Sequence, residues 1–250
     1  MKKQPLYTVI FQNERIIAVN KTSGITVGGE RWDDSAQRLD KIIKQDFGFA
    51  KLFTVHRIDR DTSGLVVFAL DAQTHKQLSG AFEKRQVDKR YITIVHGRPA
   101  WNETVCDLAL VPDGNKRHMT IIDKYQGKES LTRFVLLGSA GNYSVLEALP
   151  KTGRIHQIRV HAAALGFPVV CDPLYGKETP VLLSSFKRGW RGDPMNEKPL
   201  LSRLGLHALE LSLPKDICDF TLKAPLPRDM SGLLQQMEKQ GGFTLSVFSP

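Results

Sequence analysis

The chain has 250 residues, of which 41% are hydrophobic and 24% charged, enough for one good-sized core or two small ones. Its 35 Lys and Arg against 26 Asp and Glu leave a formal net charge of +9, which suits a polyanionic partner such as nucleic acid. No run of about 18 apolar residues occurs, and Met1 to Pro5 leads into no apolar signal segment, so a spanning helix is excluded and a cytoplasmic location expected. Three widely separated cysteines, Cys106, Cys171 and Cys218, exclude a disulfide framework and a Cys-x-x-Cys metal site.

In chain order, Thr8 to Phe11, Ile16 to Asn20 and Ile25 to Val27 read as short strands divided by turns. The Gly28-Gly29 pair has neither dinucleotide-binding nor Walker spacing and reads as another turn. Leu39, Ile42, Ile43 and Phe47 recur at helical spacing, predicting a helix from Asp34 to Phe47 capped by Asp33 or Asp34. The apolar run Leu65 to Leu70 predicts a strand buried on both faces. Asp71 is placed to cap a helix from Ala72 to about Arg85, with Leu78, Ala81 and Phe82 inward.

A strand opened by Tyr91 follows, within Lys89 to Gly97, and Glu103 to Leu110, Arg117 to Ile122, Leu131 to Leu137 and Tyr143 to Leu149 continue as strands. Ile155, Ile158, Ala162 and Leu165 mark a helix ending at Gly166, with Arg159 at the edge of the apolar stripe. Val169 to Cys171, Leu206 to Leu211 and Phe220 to Lys223 read as strands, and about Asp229 to Lys239 as a last short helix. Ser184 to Pro199, rich in Lys, Arg, Gly and Pro, is the one long irregular stretch, suited to a surface loop or an RNA-facing insertion. With no linker, repeat or low-complexity tract, residues 1–250 read as a single domain and a monomer.

Two stretches are dense in polar chemistry. In His56-Arg57-Ile58-Asp59-Arg60-Asp61-Thr62-Ser63-Gly64 one carboxylate, Asp59, stands between two guanidiniums that would favour its charged form if they also surround it in space. Taken alone, such a string is a structural ion pair. The second stretch is Lys151-Thr152-Gly153-Arg154-Ile155-His156-Gln157-Ile158-Arg159-Val160-His161. His156 and His161, five residues apart, fall on different helix faces and lack the companion carboxylate of a metal motif, and no nucleophile-elbow serine is present.

Together these stretches resemble the RluA-type family of RNA pseudouridine synthases. The likeness includes His56 to Leu65, Lys89-Arg90-Tyr91, Gly127-Lys128-Glu129 with Thr132, Gly153 to His161, Gly166 to Gly176 and Leu206-His207-Ala208, in order from about residue 8 to residue 238. It implies an α+β fold with a mixed, mostly antiparallel sheet bent around a central cleft and flanked by helices. It also implies that Asp59 is the catalytic aspartate, Tyr91 the tyrosine lying against the target base, and Arg159 the arginine pairing with the aspartate. Arg57 and Arg60 are then left to position the loop and the RNA backbone. The reaction implied is isomerisation of uridine in structured RNA, ribosomal RNA ahead of transfer RNA, with no metal or other cofactor. The family's Lys-Pro-x-Gly segment is Lys21-Thr22-Ser23-Gly24 here, a departure expected to loosen a turn away from the chemistry. The small RNA-binding domain that many relatives carry before the catalytic part is not seen. The rival reading is a non-catalytic RNA-binding or assembly factor on the same fold, and the intact Asp59, Tyr91 and Arg159 argue against it.

Overall fold

In the computed structural model the described residues are 5–29, 37–241 and 243–244. They form two compact units, the first within residues 1–90 and 207–225, the second within 91–206 and 226–250. The first unit opens with β1 (Tyr7–Gln12) and β2 (Ile16–Lys21), an antiparallel pair whose turn is fixed by Asn13 Oδ1 accepting the Arg15 and Ile16 amides, each at 2.9 Å. After α1 (Leu39–Asp46) and β3 (Phe53–Thr54) comes β4 (Ser63–Ala69), in which every residue is buried, as its unbroken apolar run requires. β2 runs antiparallel to it from Ile16↔Ala69 to Lys21↔Gly64. α2 (Ala72–Glu83) is capped by Asp71, whose carboxylate accepts the Thr74 amide at 2.8 Å, a bond worth about 1 kcal/mol. Its Leu78 and Ala81 pack into a core with Ile16, Leu65, Val67 and Leu211.

The boundary between the units falls inside β5 (Asp88–His96), between Arg90 and Tyr91. The second unit continues with β6 (Glu103–Cys106), β7 (Leu110–Val111), β8 (Ile121–Ile122), β9 (Thr132–Ala140), β10 (Tyr143–Pro150) and α3 (Gln157–Ala164). β10 pairs antiparallel with β5 and with β9, and β9 with β6, while β7 and β8 form a separate small hairpin. The core beneath joins Val95, Phe134, Leu146, Ile158, Ala162 and Leu206. β11 (Leu206–Ser212) returns to the first unit, parallel to β4 at His207↔Ser63 and Ala208↔Gly64, and β12 (Thr221–Lys223) pairs antiparallel with it. Gly64 is obligatory there. It sits at φ +118, and a Cβ would lie 2.2 Å from the Ala208 carbonyl oxygen. α4 (Arg228–Gly241) buries Met230, Leu233, Leu234 and Met237, one stripe at 3.6-residue spacing.

The architecture is therefore α+β with a mixed, mostly antiparallel sheet, as expected from the resemblance; the pair of β4 and β11 supplies the parallel part. Several expected elements differ. α1 starts at Leu39 rather than Asp34, and the expected caps Asp33 and Asp34 lie outside the described residues. Its first amides are satisfied instead by backbone carbonyls, Leu39 N donating to Thr26 O at 2.9 Å and Asp40 N to Val27 O at 3.1 Å. Ile25 to Val27 thus serve as a cap rather than a strand. Phe47 is exposed and stacks on Phe49 at 5.2 Å. The Glu103 to Leu110 strand breaks after Cys106, and of Arg117 to Ile122 only the last two residues are extended, because Asn115 Oδ1 takes the Arg117 and Met119 amides into a loop. Val169 to Cys171 make a single bridge to Val95, and Cys171 turns away at φ +56.

Candidate active site

Asp59 sits half-buried in a loop whose neighbour Ile58 is buried, while Arg57 and Arg60 are exposed. The Thr62 amide donates to Asp59 O at 3.1 Å, closing a tight turn. This turn is tied to the segment Lys21 to Gly24. Gly24 N and Lys21 Nζ both donate to Arg60 O at 2.9 Å, and Ser23 Oγ donates to Asp61 O at 2.7 Å. Lys21 is 1% exposed, and its ammonium also reaches the Thr22 and Ile25 carbonyls at 2.9 Å. Three charge-assisted bonds to fixed oxygens are what make a buried lysine tolerable. Thr22 adds its amide and hydroxyl to Leu6 O, at 3.0 and 2.9 Å, an amide that a proline would lack. The departure at Lys21 to Gly24 therefore tightens the turn instead of loosening it, and the turn is the clamp of the Asp59 loop.

Neither flanking guanidinium bonds to Asp59. Arg60 Nε donates to Gly24 O at 3.3 Å, while the exposed Arg57 has no side-chain partner among the described residues. Behind the loop, His56 Nε2 accepts the Val67 amide at 3.0 Å and the ring stacks on Phe82 at 4.7 Å. Burial, helped by the charge of Lys89, pushes its pKa down to about 3, so the ring is neutral with its proton on Nδ1. Ser63 and His207 are buried 3.0 Å apart, Oγ to Nδ1, and His207 Nε2 lies 3.2 Å from Ala224 O. A carbonyl only accepts, so Nε2 carries the proton and Ser63 donates to Nδ1.

In the second unit, α3 starts at Gln157, after His156 in the left-handed region at φ 55. Ile155, expected on the inner stripe, lies before the helix and is 52% exposed. The helix start is held by a buried polar network. Gln157 Oε1 accepts from Thr152 Oγ1 at 2.7 Å and from the Arg154 amide at 3.0 Å, and its Nε2 donates to Leu131 O and Thr132 Oγ1 at 3.0 and 2.9 Å. One turn on, His161 Nε2 lies 3.0 Å from Leu108 O and Nδ1 3.0 Å from Thr132 Oγ1. The carbonyl fixes the proton on Nε2, so Thr132 donates to Nδ1 while accepting from Gln157. Burial lowers the His161 pKa despite that bond, so this ring too is neutral.

Arg159 is 3% exposed and bound at two points by Asp172, Nε to Oδ2 at 2.8 Å and Nη2 to Oδ1 at 2.7 Å. Asp172 is itself fully buried, and its Oδ1 accepts the Leu174 and Tyr175 amides at 2.9 and 3.2 Å. Burial opposes the charged carboxylate, but the Arg159 hydrogen bonds and charge with those amides outweigh it and hold the pKa below the usual carboxylate range. The Tyr175 ring lies 5.2 Å from the guanidinium, and its hydroxyl accepts the Thr120 amide at 2.8 Å. The arginine plane is thus fixed from two sides. Tyr91, half-buried, packs on the core that also holds Ile158 and Ala162 of α3.

Asp59, Arg57 and Arg60 thus share one loop of the first unit, while in the second Tyr91 packs on the core to which α3, the helix of Arg159, contributes Ile158 and Ala162. Sequence reasoning missed Asp172, Gln157, Thr132 and Lys21. A buried arginine demands a counter-charge, and Asp172-Pro173 just after the apolar Val169-Val170 was a signal for one. Among the described residues no group of three His, Cys, Asp or Glu side chains could hold a metal ion, and no helix is long and apolar enough to cross a membrane.

The family model described as RNA pseudouridylate synthase matches residues 15–164. An uncharacterised RNA pseudouridine synthase of Zymomonas mobilis is 33% identical over 229 residues, covering 90% of this chain and 96% of that protein. The dual-specificity RNA pseudouridine synthase RluA of Haemophilus influenzae is 31% identical over 88% of this chain and 92% of its own, and the ribosomal large subunit pseudouridine synthase C of Buchnera aphidicola is 32% identical over 92% and 70%. Among solved structures, human RNA pseudouridylate synthase domain containing 1 superposes with a TM-score of 0.67 at 26% identity, covering 91% of this chain and 86% of that one. With the Asp59 and Arg159 motifs seated in this fold, the chain belongs to the RluA-type family of RNA pseudouridine synthases, a family of isomerases.

Proposed function

We propose that this chain converts specific uridines in structured RNA to pseudouridine, with Asp59 as the reacting carboxylate, and that its RNA is ribosomal before transfer RNA. The C1′–N1 bond of uridine breaks, C1′ joins C5, the C5 proton leaves and N1 gains one, so composition is unchanged and no redox partner is needed. One ionised carboxylate serves as nucleophile or base, and no second acid is required as it is in glycoside hydrolysis. The observation that carries the reading is the clamped Asp59 loop: Lys21, Ser23 and Gly24 fix the carbonyls of Arg60 and Asp61, the two residues that follow the carboxylate. In the same proposal Arg159, whose Nε and Nη2 are held by Asp172, is the arginine that serves the reacting carboxylate. Tyr91 lies against the base, and Arg57, with Arg60 steadying the loop, takes an RNA phosphate. Uracil has to leave the stack first, at a cost of a few kcal/mol that favours loops over helices. The large-subunit relative supports ribosomal RNA as the first place to look.

Pseudouridine mapping of total RNA from cells lacking the gene tests this. We expect at least one missing site, restored by the wild type and not by Asp59→Asn. Restoration by the Asn form would remove Asp59 from the chemistry. No missing site would favour the non-catalytic RNA-binding reading.

A further inference from the structure

The segment from Val181 to Leu201 is a closed loop. Its ends meet in a bridge, with Val181 N donating to Leu201 O at 2.8 Å and Leu200 N to Val181 O at 2.9 Å, both end residues being buried. Just after its start, a short 3-10 turn at Leu183–Ser185 delivers Phe186 into the core, where its ring meets Tyr143 edge-on at 5.9 Å. Gly141 makes the room, since a Cβ there would lie 2.5 Å from Phe186 Cβ. The far arm is stapled back by Glu197, whose carboxylate accepts the Ser184 amide at 2.8 Å. A stretch that composition alone marks as irregular is therefore tied at its base, at Phe186 on its first arm and at Glu197 on its far arm.

Its charges are sorted. Between Glu178 and Asp193 there is no acidic residue, while Lys187, Arg188 and Arg191 are all exposed and have no side-chain partner among the described residues. The loop's two acids are taken up by groups of the loop itself. Glu197 caps Ser184, and Asp193 accepts from Asn196 Nδ2 and the Met195 amide at 2.6 and 2.9 Å, bonds that hold its carboxyl below the usual range. Among the three cations stands Trp190, half-buried, its ring so close over Gly192 that a Cβ there would meet it at 2.3 Å. The Lys187 carbonyl accepts the Trp190 amide at 3.3 Å. Three unpaired cations around a supported indole are what a single strand uses: phosphates for the cations, a base face for the ring.

We propose that the Lys187-Arg188-Gly189-Trp190-Arg191 turn is a second RNA-contact surface, one that holds an unpaired strand of the substrate by its phosphates and stacks one base on Trp190. The choice of RNA as ligand rests on the function proposed above, but the contact is measured by binding, without turnover.

The test uses the full chain with fluorescein-labelled oligo(U) and an RNA duplex of the same length as probes, over a salt series. Because each phosphate contact to a single strand contributes about −0.7 to the slope of log K against log salt, Lys187→Ala/Arg188→Ala/Arg191→Ala should flatten the oligo(U) slope by about 2. Trp190→Ala should weaken oligo(U) roughly tenfold with the slope unchanged, and weaken the duplex little. Arg188→Lys/Arg191→Lys should keep the slope, and all the variants should keep the wild-type circular dichroism, since no core contact changes. Equal slopes for the triple variant and the wild type would overturn the proposal, as would failure of the wild type to bind oligo(U). So would equal binding of polyglutamate, which would mean that the turn reads anion density, as on an acidic protein. If the wild type makes no pseudouridine yet the variants behave as expected, the function proposed above fails and this contact stands.

Discussion

Asp172 is the residue on which the Arg159 arrangement depends. Its carboxylate does two jobs at once, neutralising a buried guanidinium and taking two backbone amides that fold the chain around Asp172 to Gly176. Asp172→Asn separates them, because the amide oxygen can still accept from Leu174 and Tyr175 while the charge is gone. Removing the charge that Asp172 sets against the buried Arg159 guanidinium costs about 3 kcal/mol, which in a chain of this size lowers Tm by roughly 10 °C. If Arg159 acts in the chemistry, the larger effect is on turnover. A displacement of about 1 Å in a positioned group costs on the order of a hundredfold, so kcat should fall by about that factor with KM for RNA within a few-fold of wild type. A raised KM at unchanged kcat would show instead that Asp172 shapes an RNA surface.

At the scale of elements, the helices and the central strands were legible because their periods are strong, as in the buried run of β4, the capped start of α2 and the four-residue stripe of α4. What escaped were segments whose backbone groups serve something other than a ladder. Ile25 to Val27 look extended and apolar, but their carbonyls cap α1. Val169 and Val170 divide their bonds between β5 and Gly205 before Cys171 turns into the left-handed region. The site followed the same rule. Asp59 and Arg159 could be picked out from the motifs that carry them, whereas Lys21, Thr132 and Gln157 act through partners far off in sequence that no local pattern reveals. The Lys21 to Gly24 clamp can be tested at two strengths. Ser23→Ala removes one bond to Asp61 O and should lower kcat a few-fold while costing only about 1 kcal/mol of stability. Lys21→Met strands the Thr22 and Ile25 carbonyls and leaves Arg60 O with the Gly24 amide alone, so a loss of about 3 kcal/mol and roughly 6 to 12 °C in Tm is expected, with turnover falling further than for Ser23→Ala. Full activity in a folded Lys21→Met chain would show that the loop needs no clamp.

Across the whole molecule, each unit carries a neutral histidine as a structural hydrogen-bonding group, the half-buried His56 before the Asp59 loop and the buried His161 within α3, and this sets the direction of the pH dependence. In the unfolded chain both rings take a proton near pH 6.5, whereas in the folded chain burial lowers both, His56 to about 3. Below pH 6.5 the unfolded state therefore binds more protons, and stability falls as pH falls, by up to about 1.4 kcal/mol per pH unit for each histidine still neutral in the fold. The contribution is fully present above pH 6.5 and, for His56, is lost progressively down to about pH 3. Asp172 acts in a lower window: its folded pKa lies below the unfolded value, so its share is present above about pH 4 and is lost as pH falls through the folded pKa. Urea midpoints measured by circular dichroism from pH 7.5 to 4.5 should thus decline steadily below 6.5. Gln at position 56 cannot titrate and can still offer an acceptor to the Val67 amide, so His56→Gln should make that decline shallower by close to one proton's worth between pH 6 and 4.5. An unchanged slope in the variant would mean that His56 is not the group taken up on unfolding.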